Sequence, residues 1–132
     1  MVNPDQLAVM GSSAGGFSAL NLLIKFPGLF KAGICSYAVS DLVDDAQHTH
    51  ILKRYYPQFL TGDFSTEYDR FVTRSPISHL QEIKDPIALF HGTEDKVVSP
   101  NQSQVIFDSL TTRNIPCILR LYEGEGHGFN IL

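Results

Sequence analysis

Short apolar runs recur along the chain, each followed by a stretch whose apolar positions fall three and four residues apart. This alternation predicts a parallel sheet covered by helices. Residues 7–10 are continuously apolar, as a strand buried on both faces requires. A tight glycine-rich turn follows over 11–16. Residues 17–26 then read as a helix in which Leu20, Leu23 and Ile24 share one stripe, stopped by Pro27-Gly28. Residues 32–37 predict a second strand, and 87–90 a third, entered through Asp85-Pro86. An amphipathic helix is expected over 100–113, with Val105, Ile106, Phe107 and Leu110 facing inward and Asn114 as its C-terminal cap. Residues 118–122 give a fourth strand, and a loop over 123–128 follows it. Between 41 and 75 the pattern is polar and aromatic, with weak helical signals at 46–55 and 66–72. That fits a helical excursion between strands, not a second domain.

Composition narrows the class. At 132 residues the chain holds one domain with a single core, and 43% apolar with 18% charged residues is ordinary for a globular protein. The net charge of −4 is mild and the basic residues are scattered, so no nucleic-acid partner is expected. No apolar stretch approaches the ~20 residues that span a bilayer. The first residues lack the basic and apolar regions of a secretory signal, so a cytoplasmic location is expected. Cys35 and Cys117 each sit in an apolar run and read as buried free thiols; neither has a CxxC partner, and no metal or other cofactor is implied.

Gly11-Ser12-Ser13-Ala14-Gly15 fits G-x-S-x-G, extended by Gly16, and it joins an apolar strand to a helix. Such a turn strains the backbone at the serine, and side chains at positions 11 and 15 are expected to collide there. Ser13 Oγ would stand above the sheet with the Ala14 N–H aimed where an oxyanion forms. The motif alone also fits a close-packing or phosphate-holding turn. A serine hydroxyl needs a base, and His127, in Gly124-Glu125-Gly126-His127-Gly128, is the candidate. The base needs an acid to fix its tautomer. Asp95 is favoured over Glu94 and Asp45 because it lies just beyond a strand's C-terminal end, where open parallel sheets bind ligands. The order Ser13, Asp95, His127 is that of α/β-hydrolases. His91 ends a strand and is expected to make a structural hydrogen bond. His48 and His50 form an isolated H-x-H without a matching carboxylate motif, and Glu123 and Glu125 are expected to face water.

Taken together these stretches resemble the catalytic domain of the prolyl oligopeptidase family, nearest its dipeptidyl-peptidase and acylaminoacyl-peptidase branches. The resemblance is carried by residues 3–17, by Pro27-Gly28-Leu29-Phe30-Lys31-Ala32-Gly33, by Ser75-Pro76-Ile77, by His91-Gly92-Thr93-Glu94-Asp95-Lys96-Val97-Val98 and by residues 123–129. It implies an α/β-hydrolase fold and a peptide substrate. Ser13 would be acylated, His127 would shuttle the proton and Asp95 would orient it. It also implies that Tyr37, Val97 and Val98 lie near the pocket for the residue before the cleaved bond. The family's β-propeller, early strands and upstream oxyanion tyrosine have no counterpart among these residues. The chain is therefore expected to be the C-terminal half of such a domain, weakly active or inactive alone, with the strand at 7–10 as an open edge for pairing with a second copy. An esterase, or a non-catalytic binding module, is the alternative reading.

Overall fold

A computed structural model describes residues 3–48 and 62–129. Four strands, β1 (Ala8–Ser12), β2 (Ala32–Ser36), β3 (Ile87–Gly92) and β4 (Cys117–Tyr122), form one sheet in the order β1-β2-β3-β4, every neighbouring pair parallel. Parallel neighbours need crossovers, and helices supply them. Helix α1 (Ala14–Lys25) joins β1 to β2. Helices α2 (Leu42–His48) and α3 (Tyr68–Arg74) lie between β2 and β3, followed by a 3₁₀ stretch at Pro76–Glu82. Helix α4 (Pro100–Thr112) joins β3 to β4.

The register explains the core. Val9, Gly33, Ile87 and Cys117 run side by side across the sheet, as do Cys35, Leu89 and Leu119. Paired residues of parallel strands share a face, and onto this face α1 sets Leu20 and Leu23, α4 sets Ile106 and Leu110, and the 3₁₀ stretch sets Leu80 and Ile83. Each fully buried Leu or Ile contributes about 1.5–3 kcal/mol relative to exposure. Gly33 is small because a Cβ there would meet Leu23 Cδ1 at 2.6 Å. Val105, Phe107 and Ile24 pack at the margin of this cluster, on the inward faces that their spacing predicts.

Three sequence expectations change. First, β1 is not buried on both faces. Its residues alternate between exposed and half-buried, and Met10 is 75% exposed. It is an edge strand, as expected, but among the described residues the helices cover only one side of the sheet, so Ile118 and Tyr122 of β4 are exposed as well. Second, the glycine turn is shorter than its composition suggests. Strand β1 runs on to Ser12 and α1 starts at Ala14, three residues earlier than the apolar stripe indicates. Third, the excursion helices shift. Asp41 Oδ1 accepts from the Val43 and Asp44 N–H groups and so starts α2 at Leu42, while the signal at 46–55 falls largely outside the described residues. The 66–72 signal corresponds to α3. Helix α4 ends as expected, with Asn114 in the left-handed region at φ 58° and its N–H on the Thr111 carbonyl. Among the described residues no helix is long and apolar enough to cross a membrane.

Candidate active site

Only one residue, Ser13, separates β1 from α1. Its φ of 53° and ψ of −121° lie where a side chain is disfavoured, a strain of order 1–3 kcal/mol. Serine at a helix N-cap ordinarily turns its hydroxyl onto the first turn's N–H groups. Ser13 makes no such bond, and its Oγ lies 3.0 Å from His127 Nε2 instead. The turn fits because Gly11 and Gly16 are glycines. A Cβ on Gly11 would meet the Gly15 carbonyl oxygen at 2.1 Å, and one on Gly16 would meet Ala38 Cβ at 2.4 Å. The collision expected for a side chain at position 15 does not arise, since nothing lies within 4 Å of a Cβ there. The backbone carbonyl of Gly15, not its missing side chain, makes glycine necessary at 11.

His127 comes from the loop after β4 and Asp95 from the loop after β3, and both reach the C-terminal rim where β1 delivers Ser13. His127 Nδ1 stands 2.9 Å from Asp95 Oδ2. A carboxylate only accepts, so Nδ1 carries the proton and donates it, and Nε2 accepts from the Ser13 hydroxyl. The Asp95 side chain is fully buried. Burial pushes its pKa up, but hydrogen bonds from His91, the Val98 N–H, His127 and the Val97 N–H outweigh this and hold the carboxyl well below the usual carboxylate range. A depressed folded-state pKa contributes stability that is complete above the ordinary value of 3.8 and is lost as pH falls below it. Urea unfolding of the native chain and of Asp95→Asn should therefore differ more at about pH 6 than at about pH 3. A gap independent of pH would contradict the assignment.

The two loops are stitched together. The Glu94 N–H donates to the Glu125 carbonyl at 2.9 Å, and the Gly124 N–H donates to Thr93 Oγ1 at 2.9 Å. The Glu125 carbonyl oxygen would lie 2.2 Å from a Cβ on Gly92. Gly92→Ala should thus push the histidine loop off the aspartate loop. The expected result is a fall in His127-dependent reactivity of about tenfold or more, since positional errors near 1 Å cost up to 10²-fold. Stopped assays on purified variant and native chain measure it.

Tyr37, at φ 37°, meets the His127 imidazole edge to face, with centroids 4.7 Å apart, and Phe129 meets Tyr37 in the same manner at 5.0 Å. Val97 is half-buried, while Val98 is buried and lends both its N–H to Asp95 Oδ1 and its carbonyl to His91. His91 does make the structural bonds expected of it, and it reaches further, to Asp95. Gln102 and Ser103, which the sequence reading of α4 passed over, are buried polar residues. Gln102 Oε1 accepts from the Ser40 and Asp41 N–H groups and so fastens the segment after β2 beside the site. Their signal was two polar residues one turn ahead of Ile106 on the inward face. Glu94 and Glu123 are exposed, and His127 takes Asp95 in preference to Glu94 or Asp45. Glu125 is half-buried, not solvated as expected, because its backbone forms the seam between the loops. His48 pairs with Asp44, and His50 lies outside the described residues. Burial pushes the Cys35 thiol up to about 12, with Cys117 adding to it; Cys117 is only half-buried, at about 11.

Comparison with known proteins bears on the fold and the family. Dipeptidyl aminopeptidase BIII of Pseudoxanthomonas mexicana is 29% identical over 136 residues, covering 95% of this chain and 19% of the relative. The acylamino-acid-releasing enzyme of Mus musculus is 29% identical, covering 95% of this chain and 18% of its own. The solved structure of a Mycobacterium tuberculosis puromycin-hydrolyzing peptidase superposes with a TM-score of 0.91 at 32% identity, over 98% of this chain and 20% of that one. The chain thus spans about a fifth of the length of these relatives. What they share with it is the partial α/β-hydrolase architecture described above. Residues 1–131 match the prolyl oligopeptidase family, and the chain belongs to that family.

Proposed function

We propose that the chain carries the reacting groups of a serine peptidase, with Ser13 as nucleophile, His127 as base and Asp95 as its orienting acid. One observation supports this above the others: a continuous hydrogen-bonded line from Ser13 Oγ through both ring nitrogens of His127 to a buried carboxylate, at 3.0 and 2.9 Å. In the first step Ser13 Oγ attacks the peptide carbonyl and its proton passes to His127 Nε2. The imidazolium so formed is stabilised by Asp95. The carbonyl oxygen becomes an oxyanion, and the Ala14 N–H, in the first turn of α1 where amide groups lack helical partners, is a donor for it. Collapse of the intermediate breaks the C–N bond. The proton on His127 goes to the leaving amine, which departs and leaves an acyl group on Ser13. Water then attacks with the same base and releases the acid. Tyr37, beside the His127 ring, and Val97 and Val98, on the loop that holds Asp95, belong to the pocket for the residue before the cleaved bond. Membership of a family whose relatives are named as peptidases supports the choice of an amide substrate.

A fluorophosphonate probe tests this on the purified chain. Stoichiometric modification of Ser13, with p-nitroanilides turned over as well as p-nitrophenyl esters, is the expected result. Turnover of esters alone would move the reading to an esterase. No labelling above the Ser13→Ala background would make the chain a non-catalytic module.

A further inference from the structure

We infer that His91 is a positioning residue for Asp95, the second member of a line running Ser103, His91, Asp95, His127, Ser13 whose first three members are buried. This rests on the peptidase reading and deepens it. His91 sits in β3 with no exposed surface, beneath the aspartate loop, on the face that α4 covers. A buried imidazole must satisfy both nitrogens, and its surroundings decide how. Nε2 faces two acceptors, the Val98 carbonyl at 3.0 Å and Asp95 Oδ2 at 3.3 Å, so Nε2 carries the proton. Nδ1 then accepts from the Ser103 hydroxyl of α4 at 2.7 Å.

The two carboxylate oxygens of Asp95 are held differently. Oδ1 takes the N–H groups of Val97 and Val98, both at 2.9 Å, which belong to its own loop. Oδ2 lies between two imidazoles, His127 Nδ1 at 2.9 Å and His91 Nε2 at 3.3 Å. The loop therefore fixes the aspartate's position, while His91, whose Nε2 is hydrogen-bonded to the Val98 carbonyl, brings a non-local N–H to within 3.3 Å of the oxygen that serves His127. A donor there fixes the direction of the Oδ2 lone pairs and sets how much charge His127 feels. Because His91 is anchored in β3 and on α4 through Ser103, that direction is referred to the sheet and not to a loop.

The bland reading is that His91 merely ties β3 to α4 and the loop. Three variants of the full chain separate the two. His91→Leu keeps volume without a donor, His91→Gln keeps a donor where Nε2 stands, and Ser103→Ala removes the outer partner. The readouts are the rate of Ser13 phosphonylation and the ¹H resonance of the His127 Nδ1 proton. A hydrogen bond to a charged group corresponds to about ten- to a hundredfold, so His91→Leu should slow phosphonylation by about that factor. His91→Gln should restore most of the rate, and the Nδ1 proton should shift in Leu but not in Gln. Ser103→Ala should slow the reaction several-fold, and it serves should His91→Leu fail to fold. Equal rates in the native chain and Leu, or Leu and Gln equally slow, would overturn the inference while native labelling upholds the peptidase reading. Failure of the native chain to label would sink that reading instead. The proton resonance needs no turnover, and if it is unmoved in His91→Leu the positioning role is refuted.

Discussion

Replacing Ser13 by Ala, or His127 by Ala, should each lower peptide hydrolysis about 10⁶-fold, and replacing both should lower it scarcely further. The reason lies in the single line of hydrogen bonds. Ser13 Oγ is a useful nucleophile only while Nε2, 3.0 Å away, takes its proton, and the imidazole has no work without the hydroxyl. The pair acts as a unit, so its losses do not add. Burst and steady-state release of p-nitroaniline from the two single variants and the double variant measures the effect. Additive losses would mean that serine and histidine act independently, and the unit would not exist.

Asp95→Asn should cost about 10⁴-fold in kcat with little change in KM. The amide is nearly the same size, and the fully buried site leaves it nowhere else to go. Its NH₂ group, however, must face either the Val97 and Val98 N–H groups or His127. In the second arrangement it favours the tautomer with the proton on Nε2, which cannot accept from Ser13. In the first, two backbone donors face a third donor, and the loop is disturbed. Initial-rate kinetics over a range of substrate concentrations separates kcat from KM. A loss carried in KM alone would place Asp95 in binding, not in proton handling.

Much of this arrangement was legible in the chain. The elbow could be read because its glycines and its strand-to-helix context obey a steric rule that leaves few alternatives, and Asp95 because the C-terminal ends of parallel strands converge. Strand β1 was misjudged for a physical reason: an apolar run states what the strand prefers, not what covers it, and Met10 is exposed because the described chain places helices on one side only. The buried polar residues of α4 were hidden because Gln102 and Ser103 look like ordinary surface positions until their partners, Ser40, Asp44 and His91, arrive from distant segments. Position 15 shows the same limit. Its glycine looked sterically required, yet the glycines that the turn requires are those at 11, as expected, and at 16.

The left-handed backbone at residue 13 sets tolerance of heat against chemistry. Glycine adopts that conformation freely, whereas serine holds it under load. Ser13→Gly should therefore yield an inert chain that melts higher than its parent, by up to a few degrees where about 1 kcal/mol is relieved in a chain of this size. Calorimetry on the two forms decides it, and an unchanged or lower melting point would show that the elbow is no burden. If the rise is found, a chain of this sequence could be made hardier by the very exchange that silences it. A selection for thermal tolerance alone would then discard the hydroxyl first.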